Sequence, residues 1–493
     1  MRATRCKRWR AIVVGFIAVM SGGFHSKGWS EDLPPPAVST PTPALEQRLD
    51  RLDQQIRALQ RQLDTNQSAQ TKNTNLFAIP GQPASSQNPP AGEATAGRSG
   101  FALQSTDGNY VLRFQGLVQA DGRFYTGDGA NARHYSAATA GTVAADQFLL
   151  RRVRPILSGS LFHIYDFFIQ PDFGGGVTAI YDAYLDIRPW TAANLRVGKF
   201  KTPLGLERLQ TDSYLTFPER SLTADLTPQR DTGLELFGAF AGNALTYQAS
   251  LTNGVQDGGY TPDSDANNAK EGTLRIFARP FQHSSTPGLT GLGVGVAGGY
   301  AANNSTGSGL PAYRTAAGQE QFFIYASGVA FDGQRSHIVP QANYYAGPLG
   351  VYGEYVQDAQ AARVGALSSR LTNTAWQGAA SWVLTGENAS YVGVAPDKPF
   401  DPRARTWGAF ELAARVHQLQ IDPDTFRLGY AAPSISASRA TAYTLGLNWY
   451  LNKFVKFYVD YEETWFKGGA GTAASVSDRP IERVIDTRWQ VAF

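Results

Sequence analysis

The sequence predicts an all-β protein, a transmembrane antiparallel barrel of about 16 strands preceded by a short periplasmic coiled coil. Three observations lead there. The last strand, Thr487 to Phe493, alternates Trp489, Val491 and Phe493 with Arg488, Gln490 and Ala492 and ends on an aromatic, a pattern with a period of two. The hairpin around Asn452-Lys453 sets Tyr443, Leu445, Leu447, Val455, Phe457, Val459 and Tyr461 on one face, and Lys456, Asp460 and Glu462 on the other. A soluble sandwich would bury the apolar face in a core, whereas a large barrel turns it to lipid around a wet lumen. Finally, no stretch of the chain reaches the ~20 apolar residues that a membrane helix needs.

The elements follow in order. Arg2, Arg5, Lys7, Arg8 and Arg10 precede the apolar run Ala11–Met20, and Gly28-Trp29-Ser30 offers a cleavage site before Glu31. This is the pattern of a secretory signal peptide over residues 1–30. The single cysteine, Cys6, lies inside it, so the mature chain has no disulfide or thiolate site. Residues 31–100 form the periplasmic segment. In it Leu45, Leu49, Leu52, Ile56, Leu59 and Leu63 are spaced 4, 3, 4, 3, 4, an a/d seam over residues 44–64. Such a seam predicts self-association; a single amphipathic helix on the barrel is the alternative. Residues 65–100, rich in Gln, Asn, Ser, Pro, Gly and Ala, read as a flexible linker.

Charge excludes one class of partner. Only 17% of residues are charged and the formal net charge is +3. Removing the six basic residues of the signal segment from +3 leaves about −3, which argues against nucleic-acid binding. The six histidines, His25, His134, His163, His283, His337 and His417, show no metal spacing. No cofactor is expected. Asp263, Asp265, Asn267 and Asn268 have the composition of calcium ligands, and equally of a polar extracellular loop.

Residues 101–493 form the expected barrel. Leu245, Tyr247, Ala249 and Leu251 alternate with Thr246, Gln248, Ser250 and Thr252, and Tyr345-Ala346-Gly347-Pro348-Leu349 reads as a short turn. Aromatic residues gather near strand ends, where a membrane-interface girdle is required. Closure removes the unpaired strand edges that lipid does not tolerate. Gly291-Leu292-Gly293-Val294-Gly295 reads as strand and turn, since no helix follows to make a phosphate cradle.

One block carries a family resemblance: Leu150-Arg151-Arg152-Val153-Arg154, Tyr181-Asp182-Ala183-Tyr184-Leu185, Leu195 through Arg208, and Phe217-Pro218-Glu219-Arg220-Ser221-Leu222. It resembles the phosphate-selective porin O and P family of Gram-negative outer membranes, as does Thr441–Leu451. The resemblance implies a trimeric barrel of sixteen strands whose third loop folds inward and narrows the pore. It implies a pore lined by Arg151, Arg152, Arg208, Arg220, Lys201 and Arg113, with Asp182 and Asp212 as counter-charges. Arginine suits oxyanions because its planar donors reach two oxygens at once. The sequence departs from the family where Asp212 follows Leu209-Gln210-Thr211 in place of hydroxyl donors, and where Leu117 replaces a base on the first strand. The expected function is passive diffusion of small hydrophilic solutes, anions such as phosphate or polyphosphate, with no enzymatic activity. The alternatives are a general non-selective porin, a barrel-anchored periplasmic or peptidoglycan tether, and an outer-membrane lipase. The expected partners are outer-membrane lipids, the barrel-assembly machinery (which reads Phe493), further copies in a homotrimer, and small anionic or neutral solutes.

Overall fold

The structure is a computed structural model that describes residues 92–97, 100–126, 145–176, 178–259, 265, 268–286, 288–305 and 310–493. The signal segment and the seam Leu45, Leu49, Leu52, Ile56, Leu59 and Leu63 lie outside the described residues. A small hairpin comes first, β1 (Glu93–Gly97) and β2 (Gly100–Gln104). The expected linker therefore ends earlier than residue 100, because Glu93–Gly97 pairs in register with β2.

The wall begins at β3 (Tyr110–Tyr125) and continues through β4 (Gln147–Leu161), β5 (Tyr165–Asp172), β6 (Ala179–Ile187), β7 (Asn194–Phe200), β8 (Asp231–Phe240), β9 (Leu245–Thr252), β10 (Glu271–Ala278) and β11 (Leu292–Ser305). Two short strands, β12 (Tyr313–Arg314) and β13 (Gln321–Phe323), pair with each other away from the wall. The wall resumes with β14 (Val329–Ala346), β15 (Leu349–Val364), β16 (Leu367–Val383), β17 (Ala409–Gln420), β18 (Ala437–Tyr450) and β19 (Val455–Thr472). After β20 (Ser475–Asp478), which extends the edge of β19, β21 (Glu482–Ala492) completes it. Each wall strand pairs antiparallel with the next, and β21 pairs with β3 from Val484↔Tyr125 to Ala492↔Leu117, which closes sixteen strands into a barrel.

The period of two decides which way each side chain points. On β18 and β19, Tyr443, Leu445, Leu447, Val459 and Tyr461 are exposed on the outside, while Thr444, Asn448, Lys456, Asp460 and Glu462 are buried inside. Local chemistry sets the turns. Asn452 accepts hydrogen bonds from the N–H groups of Phe454 (2.8 Å) and Val455 (2.9 Å), an Asx turn at the hairpin expected around Asn452-Lys453. Closure rests on the C-terminus. Phe493 exchanges both backbone hydrogen bonds with Gly116 (2.9 and 3.0 Å) and packs against Phe101 and Phe114. A β-carbon on Gly116 would lie 2.7 Å from the Phe493 ring, so a larger residue there requires the ring to shift.

Among the described residues, several segments between wall strands turn into the lumen. Residues 201–230, between β7 and β8, turn inward with the one-turn helix Leu206–Leu209 and two 3-10 turns, Asp212–Tyr214 and Leu222–Leu226. Leu204, Leu222 and Leu226 of this loop pack with Tyr313, Phe322, Phe323 and Tyr325 of a second inward segment, and with wall residues Val339, Val356, Leu371 and Leu419. From the opposite rim, between β16 and β17, Tyr391 reaches the first loop. Its hydroxyl donates to the Leu206 carbonyl (2.6 Å), and its carbonyl accepts from Gln210 (2.7 Å).

Candidate pore constriction

The inward loop meets the wall at β4. Adjacent residues of a strand normally face opposite sides, so Arg151 and Arg152 should diverge. They do not, because the register slips here: Gln119 pairs with Arg152 and Ala120 with Leu150, leaving Arg151 as the extra residue of a β-bulge. The bulge turns Arg151 inward beside Arg152 and Arg154.

Two carboxylates of the loop gather these arginines. Glu219 accepts from Arg151 Nε (2.5 Å), Arg488 Nη2 (2.8 Å), Arg123 Nη2 (3.1 Å) and Arg152 Nη2 (3.4 Å). Asp212 bonds Arg154 Nη1 and Arg220 Nη1 (2.5 Å), with Arg152 Nε at 3.7 Å and Arg230 Nη2 at 3.9 Å. Burial alone would raise both carboxyls, but the guanidiniums hold them well below the usual carboxylate range, so both are charged. Tyr181 separates Arg154 from Arg230, its ring centroid 4.3 and 4.5 Å from the two guanidinium carbons. Arg154 also meets Asp172 (2.7 Å), and Arg230 meets Asp182 (3.2 Å).

Other cations sit on neutral oxygens. Arg208 donates to the Ala224 carbonyl and to the hydroxyl and carbonyl of Thr227 (both 3.3 Å). Burial, together with Arg220 and Arg230, pushes its guanidinium down to about 9, so it stays charged at neutral pH while short of counter-charge. Lys201 Nζ donates to the carbonyls of Gln210 (2.7 Å) and Leu209 (3.4 Å), and burial beside Arg220 pushes it well below its ordinary range.

Two cavities flank the loop. The larger, of about 890 Å³, opens toward the short-turn rim past Asp182, Arg196, Lys201 and Arg275. The smaller, of about 90 Å³, is walled by Arg151, Arg152, Arg208, Glu219, Arg220 and Asp225. Arg154, Asp212 and Arg230 line both, and so mark where the two spaces meet.

Of the residues expected from sequence, the structure brings Arg151, Arg152, Arg208, Arg220, Lys201, Asp182 and Asp212 to this junction. Arg113 lies apart. It shares the inner face of β3 but sits six residues from Gln119, the partner of Arg152, roughly 20 Å along the strand. Leu117 lines the larger cavity. Sequence reasoning missed Arg154 and Arg230, although Arg154 stands two residues from Arg152 on the same strand face, and it missed Arg123 and Arg488 on the wall behind Glu219. Away from the constriction, Arg335 and His337 both contact Asp257, His337 Nε2 at 3.1 Å, and they tie the 253–259 segment to β14. A guanidinium already occupies that acidic cluster.

Comparison with known proteins follows the same lines. The family described as phosphate-selective porin O and P matches residues 118–493. Porin O of Pseudomonas aeruginosa is 23% identical over 398 residues, covering 74% of this chain and 85% of that protein. Among solved structures, the outer membrane channel DcaP of Acinetobacter baumannii has a TM-score of 0.49 at 10% identity, covering 79% of this chain and 99% of its own. OmpT of Vibrio cholerae has a TM-score of 0.47 at 11% identity, covering 78% and 98%. With three quarters of its length matched, the chain belongs to the phosphate-selective porin O and P family, channel-forming β-barrels of the Gram-negative outer membrane.

Proposed function

We propose that this barrel passes small hydrophilic solutes by passive diffusion and favours anions at the junction of Arg154, Arg230 and Asp212. The observation that carries the reading is the placement of Arg208 beside that junction, held by neutral oxygens rather than by carboxylates. Fixed cations in a narrow, poorly hydrated passage replace part of an anion's hydration shell and repel cations. Phosphate and polyphosphate enter the proposal as solutes to be tried. A weakly selective general porin is the second reading, favoured by the carboxylates Asp212 and Glu219, which already pair most of the arginines. Reversal potential in a planar bilayer under a KCl gradient separates the two. Chloride preference supports the anion track, and a potential near zero supports the general porin.

The remaining partners belong to the same proposal. The leucine seam is read as a trimerisation helix in the periplasm, and chemical cross-linking of the outer-membrane protein tests it through a band at three chain masses. Phe493 is read as the residue that the assembly machinery engages, and lipid contacts the exposed band that includes Leu445, Leu447 and Trp489.

A further inference from the structure

The strongest unexplained feature of the constriction is that its convergent donors already hold an anion, and that anion is part of the chain. Four guanidiniums from two elements meet the carboxylate of Asp212: Arg152 and Arg154 from β4, and Arg220 and Arg230 from the inward loop. Arg220 (2.5 Å) and Arg152 (3.7 Å) address Oδ1, while Arg154 and Arg230 (3.9 Å) address Oδ2. Two oxygens ringed by planar donors from several directions is the arrangement that recognises a free oxyanion. The Asp212 side chain is itself buried, and it fills the seat at the point where the two cavities meet.

We propose that Asp212 is a tethered surrogate anion: it occupies the oxyanion seat of the eyelet, so the channel passes small monovalent anions such as chloride or a monocarboxylate but does not retain phosphate. The inference rests on the anion-channel reading above. A phosphate dianion approaching the four guanidiniums meets a fixed negative charge within a few ångströms, where the local dielectric is low and repulsion is strong. A small monovalent anion meets less of this repulsion, because it carries a single charge and Arg208 walls the smaller cavity beside the filled seat.

The backbone of the loop is held independently of that carboxylate. Gln119 donates to the Asp212 carbonyl (3.3 Å), Tyr214 N–H to the Thr211 carbonyl (2.9 Å), and Gln490 to the Ser213 carbonyl (2.9 Å). An isosteric change to Asn therefore removes the fixed charge that repels phosphate without releasing the loop.

Three full-length proteins in a planar bilayer test this: wild type, Asp212→Asn and Asp212→Glu, each carrying KCl current while inorganic phosphate is titrated in. The expected result is negligible phosphate block in wild type and in Asp212→Glu. In Asp212→Asn the half-blocking concentration is expected to fall roughly tenfold or more. Equal phosphate sensitivity in wild type and Asp212→Asn overturns the surrogate role while leaving the channel reading intact. Strong phosphate block of wild type overturns it too, whether or not Asp212→Asn assembles. A wild-type protein that conducts no current overturns the channel reading itself, and the inference with it.

Discussion

Arg208 and Arg152 lie in one constriction yet hold their charge differently. Arg152 is locked between Gln119 (2.6 Å), Glu219 and Asp212, whereas Arg208 is held by a carbonyl and a threonine. A passing anion gains more from the second. Arg208→Ala should therefore lower the anion-to-cation permeability ratio about fivefold, the equivalent of ~1 kcal/mol for one hydrogen bond, read from reversal potentials. Asp225 adds a pH dependence. Burial pushes its carboxyl up to about 7, against the opposing pull of the Arg314 N–H and Arg208. Below that pH it is neutral, and above it a negative charge appears in the small cavity. Anion preference should fall as pH rises through about 7, and Asp225→Asn should remove the step. Asp212 and Glu219, held well below the usual range, stay charged throughout and contribute no step of their own. Arg488 acts on the scaffold. It is fully buried, meets both oxygens of Asp121 at 2.6 Å and holds Glu219 at 2.8 Å. Arg488→Ala leaves the buried Asp121 with only the more distant Arg123 (3.6 Å), a loss on the order of 3 kcal/mol. It should loosen the loop enough to make single-channel current noisy.

At the scale of elements, the inward loop is gripped from both rims. Tyr391, from the segment between β16 and β17, bonds Leu206 and Gln210 and lines the larger cavity. Tyr391→Ala should raise single-channel conductance, because it removes a ring from the passage and a strut from the loop. The strands themselves were legible from the period of two, as at Tyr443–Leu451 and Val455–Glu462, since one buried and one exposed face leave no freedom of register. The bulge at Arg151 was not. It adds one residue to β4 with no change in composition, and it reverses the direction that strict alternation assigns to Arg151. Arg230 was missed for another reason. Its place in the constriction depends on a chain that returns to the wall after thirty residues of loop, and no local pattern encodes that return. The seven expected residues that do meet there were found through the family resemblance, not through periodicity. Arg113 shows its limit, because a shared strand face does not fix height along the pore.

For the whole molecule, closure runs through the β21–β3 ladder, and Phe493 extends it with two backbone hydrogen bonds to Gly116. Gly116 lies directly under the Phe493 ring, so Gly116→Val should displace it and reduce the fraction of heat-modifiable, assembled barrel. The sheet that closes is built from residues 110–492, and the seam at residues 45–63 lies outside it. A chain lacking residues 31–100 should accordingly keep its unitary conductance, and a tether reading would require the reverse. On the proposed reading, fixed cations at one narrow junction make this barrel prefer anions. The most direct test is the reversal potential of the purified wild-type protein in a planar bilayer under a KCl gradient. The account predicts a potential displaced toward the chloride equilibrium value. A potential at zero or on the potassium side would contradict it.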